Sequence, residues 1–550
     1  MVVIPKIEPQ KVLFLIILLL FCFIIAPYGF EFWDTGYIPS FSWKIIQGET
    51  VYRDFFYKGP PLTLYFHALF LKILPVDGQF YFIRILNYCL FAGQVFLIVA
   101  GFDKIYSLKQ NGFNKWNIIS ISFIISLLNF SPYPWPTTDG LFFISIAFYS
   151  MCKKNNSNSN LFLIALFSIL GALCKQSFYL VPIVFTIWIF IELGLKKLFL
   201  FLLFQISIVG FFIFILVYND LLTSFIKQTT GETTLHQLFY SGLHNYIFIS
   251  IKHFIILLFI ISLFFYGYIK FSKQKFEILF VPLKICSLML LSIGLGFIFI
   301  REFLIASRIV FDSLLLLNLT LLILKKEKLK TIYPLFVLLG IAWSTSISMG
   351  YPYPILFSTG LILIITYNFK FELNNLKHYK LFNLVIILIC LIAISYNYVP
   401  YREENRTQLN YSLKTISPKL MYLKTNKSNF EKLNDCKKLI SKYGKNYVVA
   451  PNLPMVHYIF DDKSVMPADW MINTEVNKNP KIFIDIAAKN KNYVFLEKTF
   501  LNGEKLMEVK KEDFSKIANY IYKNFNKIDE TEYFIIYNGI KTNEKIPTIN

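Results

Sequence analysis

Runs of mostly apolar residues follow one another from residue 12 to residue 399, and they limit what this chain can become. In the hydrocarbon of a bilayer every backbone N–H and C=O must be satisfied within the protein, and a helix of about 20 apolar residues does this while crossing it. Runs near 12–30, 82–102, 116–131, 139–152, 161–174, 178–194, 198–218, 247–269, 278–300, 303–324, 331–348, 353–368 and 381–399 predict thirteen such helices. Composition agrees, since 55% hydrophobic and 18% aromatic residues with only 16% charged ones exceed ordinary soluble usage. The expected fold is therefore mainly α, a polytopic membrane protein with about 13 transmembrane helices. The first run is too long for a cleaved signal, and no small-residue cleavage site follows it.

The formal charge of +21 sits largely in short lysine clusters between apolar runs, a pattern of retained cytoplasmic loops and not of nucleic-acid binding. Lys6 and Lys11, Lys104 to Lys115, Lys153 and Lys154, Lys196 and Lys197, Lys270 to Lys275, Lys325 to Lys330 and Lys370 to Lys380 all fall on one side of the thirteen-span arrangement. This predicts a multi-pass protein of the cytoplasmic (inner) membrane, with its N-terminus cytoplasmic. Residues 31–81, 132–138 and 219–246, and everything after Pro400, then lie outside. Within the 31–81 loop, "PPLTLYFHALFLKIL" is apolar but too short to span, and reads as a helix lying at the outer interface. "YIPSFSWKIIQG" reads as a second, shorter one.

Two domains are expected, a membrane domain over 1–400 and an extracytoplasmic soluble α/β domain over 401–550. In the latter, "NYVVAPN", "KIFIDIA", "NYVFLEK" and "EYFIIYNG" read as strands, and "NFEKLNDCKKLISKYG" and "EDFSKIANYIYKNF" as helices. Six of the seven cysteines lie in or beside apolar runs, and neither a disulfide framework nor a CxxC pair is present. No Walker or GxGxxG phosphate loop and no HExxH occur, which argues against an ATP-driven pump. His67, His236, His244, His253, His378 and His457 lack ligand spacing, apart from the loose pair His236 and His244.

Ionisable residues at a membrane edge are functional candidates, because burying them costs free energy. Asp34 follows the first run, Asp54 lies in "VYRDFFYKGPPL", and Asp139 opens the fourth run, all on the predicted outer face. Lys58, Lys175 and Arg301 fall there too. A carboxylate that accepts a proton and cations that neutralise a departing phosphate suit transfer of a sugar from a lipid-linked phosphate. Blander roles stand beside these: a helix-end carboxylate for Asp34, an N-cap-like residue for Asp139, an Arg53–Asp54 surface pair, headgroup anchors for Lys58 and Lys175, and mutual neutralisation of Arg308 and Asp312.

In order, "WDTGY", "GETVYRDFFYKGPPLTLY", "FIRILNY", "PTTDGLFF" and "GALCKQSFYLVP" resemble the GT-C type glycosyltransferases related to the dolichyl-phosphate-mannose protein mannosyltransferases and the lipid A aminoarabinose transferase. The resemblance covers roughly the first two hundred residues. It implies an inverting glycosyltransferase that uses a polyprenyl-phosphate sugar donor and a lipid, glycan or protein acceptor. Asp34 would be the catalytic base, Asp139 would position the acceptor or a cation, and Lys58 and Lys175 would face the donor phosphate; Asp54 and Arg301 complete the expected site. Thr35 stands where many relatives have a second acid, and Tyr57 where the lipid A enzyme has one. The residues name no cofactor, and a divalent cation stays open. Alternatives are a transporter or flippase of a lipid-linked sugar, which lacks the expected internal symmetry here, and a surface-polysaccharide ligase or polymerase.

Overall fold

The computed structural model describes residues 8–110, 113–129, 133–153, 157–230, 317–318, 321–322, 327–346, 357–369, 400, 402–476, 480–489, 492–501, 505–506, 509–510 and 515–540. The helical part comprises α1 (Pro9–Leu20, continued by a π-helical turn Phe21–Ile25), α2 (Asp34–Ile46), α3 (Leu62–Ile73), α4 (Gln79–Tyr106), α5 (Lys115–Asn129), α6 (Pro136–Cys152), α7 (Asn158–Ala172), α8 (Leu180–Tyr218), α9 (Leu222–Thr230), α10 (Leu329–Ser346) and α11 (Phe357–Phe369). The C-terminal part has α12 (Lys427–Tyr443), α13 (Val456–Ile459), α14 (Pro480–Ala487) and α15 (Lys516–Asn524). Its strands are β1 (Tyr411–Ser412), β2 (Lys424–Thr425), β3 (Tyr447–Ala450), β4 (Tyr493–Glu497), β5 (Lys505–Leu506), β6 (Val509–Lys510), β7 (Phe525–Glu530) and β8 (Phe534–Ile540).

The thirteen-span expectation is overturned. Among the described residues two helices, Gln79–Tyr106 and Gln176–Tyr218, are long and apolar enough to cross a membrane. The runs at 116–131, 139–152, 161–174 and 353–368 form helices of 15, 17, 15 and 13 residues. At 1.5 Å per residue these reach about 20–26 Å, short of a hydrocarbon core about 30 Å thick. Much of their apolar character is spent inside the protein: Ile119, Phe123, Ile124, Ile144, Phe148, Leu161 and Ala165 are fully buried. Mean hydropathy does not separate burial in protein from burial in lipid. The run at 12–30 becomes a 12-residue α-helix and its π-helical turn. The run at 331–348 falls in α10, which carries Pro334 within it. The runs at 178–194 and 198–218 are two arms of one helical run, broken at Gly194 where φ is 76°. The Gln205 amide donates to Pro182 O (3.3 Å) and Thr186 Oγ1 donates to Gln205 Oε1 (3.2 Å), so the second arm returns along the first. The runs at 247–269, 278–300 and 381–399, and nearly all of 303–324, lie outside the described residues.

α4 is the axis of the helical part. It packs on α6, α6 on α7, and α7 on α8. α6 and α7 cross in backbone contact at two glycines: a Cβ on Gly140 would lie 3.0 Å from Gly171 O, and one on Gly171 would lie 3.1 Å from Gly140 O and 2.5 Å from Ile144. This crossing sets Asp139 beside the turn that carries Lys175. At its N-terminal end α4 supplies Arg84, whose guanidinium donates to the carbonyls of Ala26 (3.0 Å), Tyr28 (3.2 Å) and Gly29 (2.6 Å). The chain can therefore leave α1 sharply without burying unpaired oxygens.

The "YIPSFSWKIIQG" helix forms as part of α2 but is buried from Asp34 to Ser42 instead of lying at an interface. α3 fits the interfacial expectation better: Thr63, Leu64, His67, Ala68 and Leu71 face inward while Tyr65, Leu69 and Ile73 are exposed.

The C-terminal sheet runs in the order β3-β4-β8-β7, with β3 and β4 parallel and the other neighbours antiparallel. Alternation along the strands builds both faces. Tyr447, Val449, Phe495 and Ile536 pack with Leu433, Cys436 and Leu439 of α12. Val448, Val494, Leu496 and Ile535 pack with Phe483 and Ile484 of α14 and Ile517 and Ile521 of α15. The expected strand "KIFIDIA" is α14. Pro480 opens its first turn, and Phe483, Ile484 and Ala487 share one buried face at helical spacing, which the I-F-I-D-I alternation disguises. β7 escapes a hydrophobic pattern search because it is an edge strand with mostly polar, solvent-facing residues.

Both faces of the sheet continue into the helical part. The first joins Phe30 and Phe80, and the second joins Tyr37, Ile38 and Phe41 of α2 with Val51, Tyr52, Phe55 and Tyr57. Main-chain bonds fasten the seam, from Lys424 N to Pro27 O (2.7 Å), Gly29 N to Lys424 O (2.8 Å), Gly78 N to Pro418 O (2.9 Å) and Phe56 N to Pro467 O (2.8 Å).

A Gly171→Val substitution forces α6 and α7 apart and is expected to lower stability by about 1–3 kcal/mol. Thermal unfolding of the purified protein measures this, and an unchanged midpoint would show that the two helices do not touch there.

Candidate functional site

The bend after α1 delivers two acids to one place. Glu31 is buried, and its carboxylate accepts from Trp33 N (2.9 Å) and Thr35 N (3.1 Å), so it caps the start of α2. Asp34 is the first residue of α2 and is buried as well. Arg402 lies between them, with Nη1 3.4 Å from Glu31 Oε1 and 3.5 Å from Asp34 Oδ2, and its guanidinium stacks over the Trp33 ring at 4.6 Å. The next residue holds it there: Glu403 Oε1 accepts from Phe30 N (2.8 Å), Asn429 Nδ2 (3.0 Å) and Thr425 Oγ1. One guanidinium serves two carboxylates in a poorly solvated place. Burial therefore pushes the Glu31 carboxyl up to about 7; the Asp34 charge adds to the rise, and Arg402 and the two N–H donors oppose it.

One turn along the same face of α2, the Tyr37 hydroxyl donates to Glu475 Oε2 (3.0 Å). The other oxygen of Glu475 pairs with Lys58, whose ammonium also donates to Thr474 O (3.3 Å). The Lys58 carbonyl accepts from Gln176 Nε2, which places Lys58 beside the Lys175 turn. Lys175 Nζ donates to Thr137 Oγ1 (2.9 Å) and Thr345 O (3.4 Å), and burial pushes its ammonium down to about 7. Aromatic rings gather around Tyr37. Trp135, Trp470 and Tyr57 stand 5.6, 5.4 and 6.3 Å from the Tyr37 ring.

Asp139 lies two residues past Thr137 and is fully buried. His67 Nε2 of α3 approaches both its oxygens, at 3.1 and 3.0 Å. Buried in this way, Asp139 anchors α3 to α6 and its carboxylate has no opening to solvent. Asp54 does not join the site. It is exposed, accepts from Thr50 N (2.7 Å) and pairs with Arg53 (3.3 Å), and these contacts hold its carboxyl below the usual range. Arg301, Arg308, Asp312, His236 and His244 lie outside the described residues, as does "SMGYPYP".

The structure thus brings Asp34, Lys58 and Lys175 near one aromatic cluster, sets Glu31, the other carboxylate of the first bend, beside Asp34, and adds His67, Arg402, Tyr37 and Glu475, to which sequence reasoning gave no site role. The partners of Lys58 and Asp34 come from more than 300 residues downstream and carry no local signal. Arg402, directly after the last apolar run, is the one that its position could have flagged. Among the described residues no group of three or more His, Cys, Asp or Glu side chains is arranged to hold a metal ion, and the charge between Glu31 and Asp34 is the guanidinium of Arg402. No family model matches the sequence, and no curated protein matches it.

The raised Glu31 value has a stability signature. Between the ordinary value of 4.5 and about 7 the folded state keeps a proton that the unfolded chain releases. The contribution of Glu31 is therefore full below the lower value, falls as pH rises through this window, and stays flat above it. Glu31→Gln should remove this decline. Unfolding temperatures taken in steps from pH 4 to 8 measure it, and a variant that keeps the wild-type slope would assign the decline to another group.

Proposed function

We propose that this protein transfers a sugar from a polyprenyl-phosphate-linked donor to a lipid, glycan or protein acceptor. The observation that carries the reading is the placement of Asp34, Lys58 and Lys175 around Tyr37, Trp135 and Trp470. Aromatic faces suit a sugar ring, with the acid on α2 and the cations on the Lys58 and Lys175 loops. Asp34, held by Arg402, takes the proton of the acceptor hydroxyl or amine. The acceptor's lone pair forms the new bond to the anomeric carbon as the bond from that carbon to the phosphate oxygen breaks. That electron pair stays on the phosphate, whose added charge falls to Lys58 and Lys175. A phosphate beside Lys175 restores the proton affinity that burial lowers. Inversion at the anomeric carbon comes from the resemblance to lipid-phosphate glycosyltransferases.

The membrane enters through exposed apolar surface. Phe199, Ile206, Phe211 and Phe214 of the α8 return arm each expose 60% or more of their surface. Each leaves about 1–2 kcal/mol of transfer free energy unrealised in water. Lipid supplies the missing apolar partner and brings the isoprenoid tail of the donor to the same place. Lys11 and Lys115 at Trp116, Lys104 and Lys153 at Tyr149, and Lys197 at Asn158 gather at the end of the helices away from α2, α3 and the C-terminal sheet. With lysines on the cytoplasmic side, the site would face outward from the cytoplasmic membrane.

Asp34→Asn is expected to lower sugar transfer at least hundredfold while the protein still folds. The purified full-length chain, incubated with radiolabelled polyprenyl-phosphate sugars and candidate acceptors, measures this; transfer at the wild-type rate would remove Asp34 from the mechanism.

A further inference from the structure

We propose that the Glu475 carboxylate occupies the subsite of the donor's phosphate and is exchanged for it, with the Tyr37 hydroxyl and the Lys58 ammonium as the groups that pass from one anion to the other. The inference rests on the sugar-transfer reading and names its anion subsite. Lys58 is the phosphate residue that the resemblance implies, yet in the structure a protein anion holds it. One oxygen of Glu475 takes the ammonium, and the other takes the Tyr37 hydroxyl at 3.0 Å. A phosphate offers the same two contacts, oxygen to ammonium and oxygen to hydroxyl.

The two partners differ in exposure. The Lys58 side chain is 43% exposed and that of Glu475 only 9%, so the carboxylate reaches its cation from the protein side while the cation remains open to an arriving anion. The Lys58 end of the pair is open to solvent, so its attraction to Glu475 is partly screened and an arriving anion can compete for the ammonium. The Tyr57 phenol is buried, which pushes it well above its usual range, so it stays neutral throughout. Gln176, bonded to the Lys58 carbonyl, keeps Lys58 in place while its side chain changes partner.

Charge decides the direction of exchange. The intact donor is a phosphodiester with one negative charge, matching Glu475, whereas the departing phosphate gains a second. Lys58 therefore favours the phosphate most strongly as the glycosidic bond breaks, which is binding directed at the transition state rather than at the ground state. Glu475 keeps the ammonium compensated between turnovers.

The test is equilibrium binding of farnesyl phosphate, farnesol and inorganic phosphate to the detergent-solubilised full-length protein. Glu475→Gln should bind farnesyl phosphate about tenfold tighter than wild type, Lys58→Ala should bind it at least tenfold more weakly, and Tyr37→Phe a few-fold more weakly. The Lys58→Ala/Glu475→Gln double variant should be no tighter than Lys58→Ala alone. Glu475→Asp, with its shorter reach, should fall between wild type and Glu475→Gln and serves if the amide fails to fold. Farnesol affinity should be the same throughout, and inorganic phosphate should follow the order of farnesyl phosphate with lower affinity. A Glu475→Gln variant that binds farnesyl phosphate no tighter than wild type overturns the exchange. Equal binding of farnesyl phosphate and farnesol by every variant overturns the lipid-phosphate reading itself.

Discussion

Two carboxylates at the bend after α1 have to be satisfied, and much of the molecule is arranged around that demand. Glu31 and Asp34 are too buried for water to stabilise both charges. Glu31 finds the free N–H groups at the start of α2, and both acids find the guanidinium of Arg402. That guanidinium arrives from the far side of the chain, so the C-terminal segment has to return to this bend. Glu403 pins the return on Phe30 N, and the Lys424–Pro27 and Gly29–Lys424 bonds extend it into a short seam. The site exists only in the folded whole.

The same seam explains why the sheet and the helices share a core. The face of the sheet that receives α14 and α15 also receives α2 and the loop at 51–57, while the other face continues past α12 toward Phe30 and Phe80. Lys44 illustrates the depth of the contact: its ammonium is buried, donates to Met466 O (2.8 Å) and lies 3.5 Å from Asp469. A buried ammonium is tolerated only where such oxygens converge on it. Around Tyr37, then, the acid comes from α2, the lysines from two loops, and the covering anion from the segment after the Ile472 turn.

The apolar surface divides into two kinds that hydropathy treats alike. Residues of α5, α6 and α7 are apolar because they pack against protein, α5 and α6 on α4 and α7 on α6, with Gly140 and Gly171 letting two backbones meet. The outward residues of α1 and of the return arm of α8 are apolar and exposed. The first kind stabilises the protein, and the second leaves apolar surface exposed.

Local pattern in the chain was enough to reveal that α3 is a short helix and that the C-terminal part is α/β, with β3, β4 and β8 where alternation places them. These features are written in neighbours a few residues apart, where periodicity and turn chemistry operate. Tertiary structure alone decided that runs read as separate spans are short buried helices, or arms joined at Gly194, because length in space and burial against protein are not properties of composition. It alone paired Asp139 with His67, Asp34 with Arg402 and Lys58 with Glu475, since a charge chooses its partner by distance and desolvation after the chain has folded.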